Sequence, residues 1–173
     1  MINSVNGKRE SMEAVFPLAK KYGGLVVALT LDENGIPDTA AERVAIAEKI
    51  LKTAEEYGIE KKNIVFDTLA MTISADHTAG VATLRALKEI REKLGCHPSL
   101  GVSNVSFGLP CRDALNGVFF ALALENGLSA AIMNPHSGEM MKTYHTYLAL
   151  KGLDENCAGY IKAAENFGTL TAG

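Results

Sequence analysis

The chain has 173 residues, enough for one ordinary hydrophobic core, and its composition is typical of a cytosolic α/β protein. Its 17 basic and 20 acidic residues include no Lys/Arg run, which argues against a nucleic-acid partner. Three widely spaced cysteines without a CxxC pair argue against a disulfide framework and a zinc cluster. No segment resembles a secretory signal or a membrane span. We therefore expect a soluble, cytoplasmic protein with no membrane partner and no bound metal.

Short apolar runs of strand length alternate with segments of helical spacing along the chain. The predicted strands are a stub at residues 1–2 and the segments 25–31, 63–66, 100–102 and 130–133. Thr39 and Glu42 have the spacing of a capping box, and Pro17 predicts a kink or a restart in the first helix. Four glycines stand where a helix needs a left-handed residue before the next strand: Gly23, Gly58, Gly95 and Gly127.

The stub at the beginning of the chain ends at Asn3, so we expect the chain to begin in mid-architecture, with structure missing upstream. Five parallel strands are fewer than the eight of a (β/α)8 barrel, which needs roughly 250 residues. We therefore predict an α/β fold that forms the C-terminal part of a (β/α)8 TIM barrel and contains about five of its strands. Residues 1–173 would form one N-terminally incomplete barrel domain, in which residues 161–173 are a terminal helix and the start of a linker.

Polar side chains follow nearly every predicted strand, at the end where parallel α/β proteins bind their ligands. These residues are Asn3, Asp32, Asp67, Ser103, Asn104 and Asn134. Because the set lacks His, Cys and paired Glu, it indicates a hydrogen-bonding site for a flat, heteroatom-rich ligand rather than a metal or nucleophile site. The alternative remains that each Asx residue simply forms a turn or a helix cap.

The segment 101–112 brings Arg112 to the start of a helix, where a cation opposes the helix dipole. This position favours a ligand-facing role for Arg112. Cys111 is predicted to be a small buried side chain rather than a reactive thiol, because no base is near it in sequence. His136, after Asn134, could contact a ligand, although a solvated loop histidine is the simpler interpretation.

Four motifs occur in the order and spacing of a known family. They are Ile2-Asn3-Ser4 with Gly7, residues 64–67 (IVFD), residues 101–106 (GVSNVS) with Arg112, and residues 130–134 (AAIMN). Together they resemble the pterin-binding methyltetrahydrofolate:corrinoid methyltransferases, with the folate domain of cobalamin-dependent methionine synthase as the nearest likeness. The resemblance implies a barrel like that of dihydropteroate synthase.

The resemblance also implies roles for individual residues. Asn3 would bind the pterin ring and Asp67 its amino-pyrimidinone edge, although the family usually has proline where this chain has Thr68. Asn104 would hydrogen-bond near N5, the nitrogen that carries the methyl group, and would be the catalytic residue. Ser103 and Arg112 would line the same loop and bind the pterin, with Asn134 and His136 as further candidates. A second pterin-binding aspartate, expected on the third strand, would precede Met1.

The implied reaction is transfer of the N5 methyl group of 5-methyltetrahydrofolate to cob(I)alamin carried by a partner domain or corrinoid protein, as in methionine synthesis. Three alternatives remain: methyl transfer to a corrinoid iron-sulfur protein of the acetyl-CoA pathway, a dihydropteroate synthase relative, and an inactive fragment that serves only as a binding module. A dihydropteroate synthase relative would need Lys and Arg residues for a pyrophosphate leaving group, and these loops do not carry that basic set.

An incomplete barrel has two open edges, here expected at residues 1–3 and 130–133, with apolar interior surface between them. We therefore expect that the chain alone binds methyltetrahydrofolate poorly. It should aggregate, self-associate, for example as a homodimer, or depend on the missing segment. Size-exclusion chromatography with folate titration tests this expectation, and a well-behaved monomer with micromolar affinity would contradict it.

Overall fold

A computed structural model describes residues 1–167 as alternating strands and helices. The strands are β1 (Ile2–Asn6), β2 (Val26–Leu29), β3 (Ile64–Asp67), β4 (His97–Gly101) and β5 (Ala130–Ile132). The α-helices are α1 (Arg9–Tyr22), α2 (Ala40–Glu56), α3 (Ala79–Glu92), α4 (Arg112–Glu125), α5 (Gly138–Leu150) and α6 (Ala158–Ala164). Short 3-10 turns span Lys61–Asn63, Val102–Ser106 and Glu155–Cys157.

The five strands form one parallel sheet in chain order, β1-β2-β3-β4-β5. Residues of α1 to α5 pack on the same face of this sheet, in two adjoining apolar clusters. Strands in sequential order with every helix on one side are the arrangement of a (β/α) barrel, because a doubly wound sheet reverses its strand order and is covered on both faces. The predicted partial barrel of about five strands is confirmed.

Strand alternation gives the sheet two chemically different faces. The helix face is fully buried: Val26 and Ala28 of β2, and Ile64 and Phe66 of β3, are all 0% exposed. The opposite face, here called the open face, is not covered by any helix of residues 1–167. On this face Asn3, Val27 and Val65 are neighbours on adjacent strands. Asp67 and Ser99 form the next pair, and Asp67 lies two residues beyond Val65 along β3.

The largest errors in the predicted strand bounds are at β1 and β4, where β4 begins at His97, three residues before the predicted start at residue 100. β1 does not end at Asn3 but continues to Asn6, so Asn3 is its second residue. The polar sequence after Asn3 resembles a strand end, yet Val5 is fully buried and pairs with Ala28 on the helix face. A register shift between Asn3 and Val5 allows both residues to fit, because it turns Val5 toward the helices while Asn3 stays on the open face.

A restart of the helix at Pro17 was predicted wrongly, because α1 runs through it from Arg9 to Tyr22 as one helix, while the alternative of a kink stays a prediction. Proline removes the hydrogen bond to the carbonyl four residues earlier, which here belongs to the exposed Glu13. Water can satisfy that carbonyl, since Pro17 itself lies on the solvent side of the helix.

The predicted helix ends were correct. The side chain of Thr39 accepts a hydrogen bond from the Glu42 amide, and the Glu42 carboxylate accepts one from the Thr39 amide, which is a complete capping box. The four predicted glycines, Gly23, Gly58, Gly95 and Gly127, all have positive φ, between 60° and 94°. Each therefore reverses the chain from a helix toward the next strand.

The sheet edges at β1 and β5 have no strand partner within residues 1–167, and Ile132 on β5 is 61% exposed. The unpaired edges agree with the open edges expected from the sequence, while the expected self-association and poor folate binding of the chain stay predictions.

In the described part of the chain no helix has the length and apolarity to cross a bilayer. Of the predicted terminal helix and linker, α6 covers residues 158–164, and residues 168–173 lie outside the described residues.

We expect Thr39→Ala to destabilise the protein by about 0.5–2 kcal/mol, because α2 loses the cap on its first turn. Chemical denaturation followed by circular dichroism measures this difference. Thr53→Ala, on the same helix, is the matched control, since its hydroxyl only binds the Lys49 carbonyl within the helix. Equal unfolding free energies for the wild type and Thr39→Ala would contradict the assignment of a stabilising cap.

Candidate functional site

Asp67 is the last residue of β3 and lies on the open face, opposite the buried Phe66. Its side chain is only 8% exposed, and one carboxylate oxygen, Oδ1, accepts a hydrogen bond of 2.8 Å from the Leu69 amide. Burial raises the pKa of Asp67, and the Leu69 hydrogen bond partly opposes that rise. Among residues 1–167, the second oxygen, Oδ2, has no hydrogen-bond partner, so the carboxylate retains acceptor capacity.

Ser99 on β4 is the register partner of Asp67 and therefore lies beside it on the open face. The residue is 5% exposed, and its hydroxyl has no hydrogen-bond partner among the described residues. A buried polar group without a partner costs about 1–3 kcal/mol, which is why native proteins rarely leave one. A ligand on the open face would satisfy both the Ser99 hydroxyl and the free oxygen of Asp67.

Asn3 lies on the same face, two strands away from Asp67, and is exposed. Asn3 pairs with Val27 and Val27 with Val65, which precedes Asp67 by two residues. Strand spacing and rise put the Cα atoms of Asn3 and Asp67 roughly 12 Å apart across the sheet. A fused two-ring molecule fits between side chains at that separation.

Asn104 lies in the 3-10 turn Val102–Ser106 that follows β4. Its amide nitrogen Nδ2 would be 3.0 Å from a Cβ atom added to Gly101, so the side chain lies directly over the end of β4. Gly101 has the same strand parity as Ser99, and its missing side chain would point to the open face. The exposed Asn104 amide therefore lies over the end of β4, on the side of the sheet that also carries Ser99.

Arg112, the first residue of α4, is half-buried and holds this turn in place. Its Nε donates to the Ser106 hydroxyl at 3.0 Å, and its Nη2 donates to the Ser103 carbonyl at 2.8 Å. Ser106 in turn donates to Asn116 Oδ1 at 2.7 Å, and the guanidinium lies 4.6 Å from the centre of the Phe107 ring. Arg112 thus contacts the turn that carries Asn104 through the Ser103 carbonyl and the Ser106 hydroxyl. These contacts are structural, whereas the sequence favoured a ligand-facing role for Arg112.

The prediction that Cys111 is buried was wrong, because Cys111 is exposed at the start of α4 with a φ of 50°. Cys111 precedes the first residue of α4 and lines a groove together with Ser103 and Arg112.

An open groove of about 680 Å³ lies between α4 and α5 and brings together four of the predicted site residues. Its lining includes Ser103, Arg112, Asn134 and His136, but neither Asp67 nor Asn3. Asn134 and His136 are both exposed, and Asn134 Oδ1 accepts the His136 amide at 3.0 Å in a local turn. Asp32 likewise forms a turn, in which its carboxylate accepts the Asn34 amide. For Asn134 and Asp32 the turn interpretation therefore accounts for the contacts seen.

Ser99 was not predicted as a site residue because the predicted strand began at residue 100, which left Ser99 before the strand, at the end opposite to the expected ligand site. Period-two alternation could have found it, since Ser99 stands two residues before Gly101 and directly across from Asp67. Within the described residues, no group of three His, Cys, Asp or Glu side chains could hold a metal ion.

Comparison with known proteins gives matches over most of the chain. A model of the pterin binding enzyme family matches residues 1–134. The methylcorrinoid:tetrahydrofolate methyltransferase of Eubacterium limosum is 31% identical over 168 residues, covering 94% of this chain and 61% of the relative. Methionine synthase of Mycobacterium tuberculosis is 36% identical over 149 residues, and that of Mycobacterium leprae is 34% identical over 150 residues.

The two synthase matches cover 77% and 78% of this chain but only 12% of each synthase. The chain thus spans three fifths of the first relative and a small part of the other two. The family model covers the strands that carry Asn3, Asp67 and Ser99 and extends through Asn104 and Arg112 to the end of β5. The chain therefore belongs to the pterin binding enzyme family, as its motifs predicted.

Proposed function

We propose that this chain binds the pterin ring of 5-methyltetrahydrofolate on the open face of its sheet. As part of a methyltransferase, it would support transfer of the methyl group between N5 of the folate and a corrinoid held by a partner domain or protein. The observation that carries the proposal is the pair formed by Asp67 and Ser99. A buried carboxylate with a free oxygen lies beside an unpartnered hydroxyl, in a member of a pterin-binding family.

The chemistry of Asp67 fits the amino-pyrimidinone edge of a pterin. That edge presents a ring N–H and an exocyclic amine side by side, and an ionised carboxylate accepts both in a fork that is stronger than neutral hydrogen bonds. Oδ2 is free, and Oδ1 retains a lone pair beside the Leu69 hydrogen bond. The low exposure of Asp67 keeps water from competing with the ligand.

Ser99 and Asn3 would complete the ring site. The Ser99 hydroxyl can donate to a pterin oxygen or nitrogen or accept from a ring N–H, which removes the cost of its present lack of a partner. Asn3, across the open face, offers both an amide donor and an acceptor at the opposite end of the ring. Val27 and Val65 lie between them and supply an apolar floor for a flat ring.

Asn104 is the residue we assign to the reacting nitrogen. Tetrahydrofolate is a poor leaving group unless N5 gains a proton or a hydrogen bond, and an amide can supply the hydrogen bond but not the proton, which would come from water. The hydrogen bond strengthens as charge changes at N5, so it stabilises the transition state more than the ground state. The same residue would act in both directions of transfer, because forward and reverse reactions share one transition state.

Ser103 and Arg112 would act mainly by holding Asn104 in place, through the contacts of Arg112 with the Ser103 carbonyl and the Ser106 hydroxyl. The corrinoid would supply or receive the methyl group at its cobalt from outside this chain. Asn134 and His136, exposed at the rim of the groove beside α4, are placed where a corrinoid-carrying partner could contact them.

The relatives' names support this class of reaction. One relative is named for methyl exchange between a methylcorrinoid and tetrahydrofolate, and two are named methionine synthases. A pure binding module would keep the ring site but catalyse no transfer, so a transfer assay separates it from an enzyme. The final methyl acceptor, the cytoplasmic location and the homodimer remain predictions from the sequence.

We expect Asp67→Asn to weaken binding of 5-methyltetrahydrofolate by at least about tenfold. The new amide must keep its oxygen toward the Leu69 N–H, so its NH2 group faces a donor of the pterin. Isothermal titration calorimetry of wild-type and variant proteins measures the change. Glu48→Gln is the matched control, because Glu48 is an exposed residue of α2 remote from the strand ends that carry the site, and its replacement should leave the affinity within about twofold.

The pH dependence sharpens this test. Because burial raises the pKa of Asp67, the carboxylate becomes protonated at a higher pH than an exposed aspartate would. Protonation removes acceptor capacity, so wild-type affinity should fall as the pH is lowered through this raised pKa and level off above it. The Asp67→Asn variant should not show this fall in affinity at low pH. Equal affinities for the two proteins at neutral pH would remove Asp67 from the site.

We expect Asn104→Ala, in the complete barrel, to slow methyl transfer by roughly one to three orders of magnitude, the loss of one transition-state hydrogen bond. Stopped-flow decay of cob(I)alamin absorbance measures the rate. Asn34→Ala, an exposed turn variant, is the control. An unchanged rate would exclude Asn104 from the mechanism, and a loss of folate affinity alone would restrict it to ground-state binding.

A further inference from the structure

Arg43 of α2 is a buried cation that the proposed function does not use. It is 2% exposed, and its neighbours along the buried side of α2 are apolar, among them Val44, Ala47 and Ile50. Within residues 1–167 Arg43 forms no salt bridge. Burying an unpaired charge is unfavourable, so an arginine that only filled space here would be a poor choice over a methionine or a leucine.

The Arg43 guanidinium instead binds the backbone of the loop that follows β3. Its Nη1 donates to the Thr68 carbonyl at 2.9 Å and to the Leu69 carbonyl at 3.0 Å, and it also contacts Thr83 Oγ1 on α3 at 3.1 Å. Its Nε donates to the Pro37 carbonyl at 2.8 Å. One side chain therefore connects the segment before α2, the loop after β3, and α3.

Leu69 is the residue that needs such support. Its φ is 59°, in the left-handed region that a branched side chain rarely adopts. Its carbonyl accepts from Arg43, and its amide donates to Asp67 Oδ1 at 2.8 Å. The Thr68 carbonyl that Arg43 binds belongs to the same planar peptide unit as the Leu69 N–H, so this contact fixes the direction in which that N–H points to the carboxylate. The second Arg43 contact holds the Leu69 carbonyl.

We propose that Arg43 is a positioning residue for Asp67: it holds Leu69 in the conformation whose amide fixes the Asp67 carboxylate for the pterin edge. The inference rests on the proposed pterin site for its ligand, but the contacts from Arg43 through Leu69 to Asp67 exist without a ligand. Arg43 acts on the loop after β3 as Arg112 acts on the turn after β4.

The first experiment needs no folate. We expect Arg43→Met, which keeps the length of the side chain but has no donors, to speed amide hydrogen exchange at Leu69 by about tenfold, as Asp67→Ala also should. The Gly7 amide, which binds the Leu31 carbonyl, serves as the internal reference. Ile50→Val, a buried change on the same helix, controls for general destabilisation and should leave the ratio of Leu69 to Gly7 exchange unchanged.

Thr83→Val is the milder variant to use if Arg43→Met does not fold. It removes one acceptor of Arg43 and also the donation of Thr83 itself to the Leu69 carbonyl at 3.3 Å, while keeping the shape of the side chain. The hydrogen bonds from Arg43 to the Thr68 and Leu69 carbonyls remain, so Leu69 exchange should rise less, but in the same direction. Wild-type exchange at Leu69 in the folded Arg43→Met protein, or in Thr83→Val where that variant carries the test, would overturn the proposal.

The second experiment is a double-mutant cycle on affinity for 5-methyltetrahydrofolate. Arg43→Met should weaken binding about tenfold in the wild-type background and less than about twofold in the Asp67→Asn background, because its effect passes through that carboxylate. Equal losses in both backgrounds would indicate a general structural effect and contradict the proposal. If Asp67→Asn binds folate as wild type does, the pterin site fails, while the exchange result still decides whether Arg43 holds Leu69.

Discussion

The helices α1 to α5 all pack against one face of the five-stranded parallel sheet. This one-sided packing determines on which face of the sheet polar side chains can lie. The helix face consists of side chains such as Val26, Ile64 and Phe66, with no exposure to water. Polar side chains on these strands are therefore confined to the open face or to the strand ends. Asp67 and Ser99 follow this constraint, and the turn beyond β4 brings Asn104 over Gly101.

The loop after β3 binds the Asp67 carboxylate through the Leu69 amide, the turn after β4 carries Asn104, and each of these two segments is held by one arginine. Arg43 binds the carbonyls of Thr68 and Leu69, and Arg112 binds the carbonyl of Ser103. An arginine suits this task because its planar guanidinium donates several hydrogen bonds in fixed directions. Hydrogen-bonding groups that must meet a rigid ring benefit from such prior positioning, since less conformational freedom is lost when the ligand binds.

The sequence predicted the barrel architecture well because its signals are local. Alternating apolar periodicity, the capping box at Thr39 and the glycines at helix ends each involve residues close in the chain, and all three appear in the structure. The errors arose where tertiary packing decides the outcome. β1 runs on to Asn6 because Val5 is buried against the helices, and α1 passes through Pro17 because the lost hydrogen bond is on its exposed side.

The candidate site was predictable in part. Asp67, Asn104 and Arg112 stand in motifs, and the strand ends mark their positions. Ser99 and Arg43 were not predicted, because the predicted strand began after Ser99 and because Arg43 acts on residues 25 and 26 positions away in the chain. For Arg112, the position in the sequence predicted a contact with the ligand but did not predict the contacts with the turn that carries Asn104.

A crystal structure of the protein with bound 5-methyltetrahydrofolate tests the central claim most directly. We expect the amino-pyrimidinone edge within hydrogen-bonding distance of both Asp67 carboxylate oxygens, Ser99 Oγ with a ligand partner, and N5 close to the Asn104 amide. A folate bound only in the groove between α4 and α5, with Asp67 and Ser99 free of ligand contacts, would contradict it.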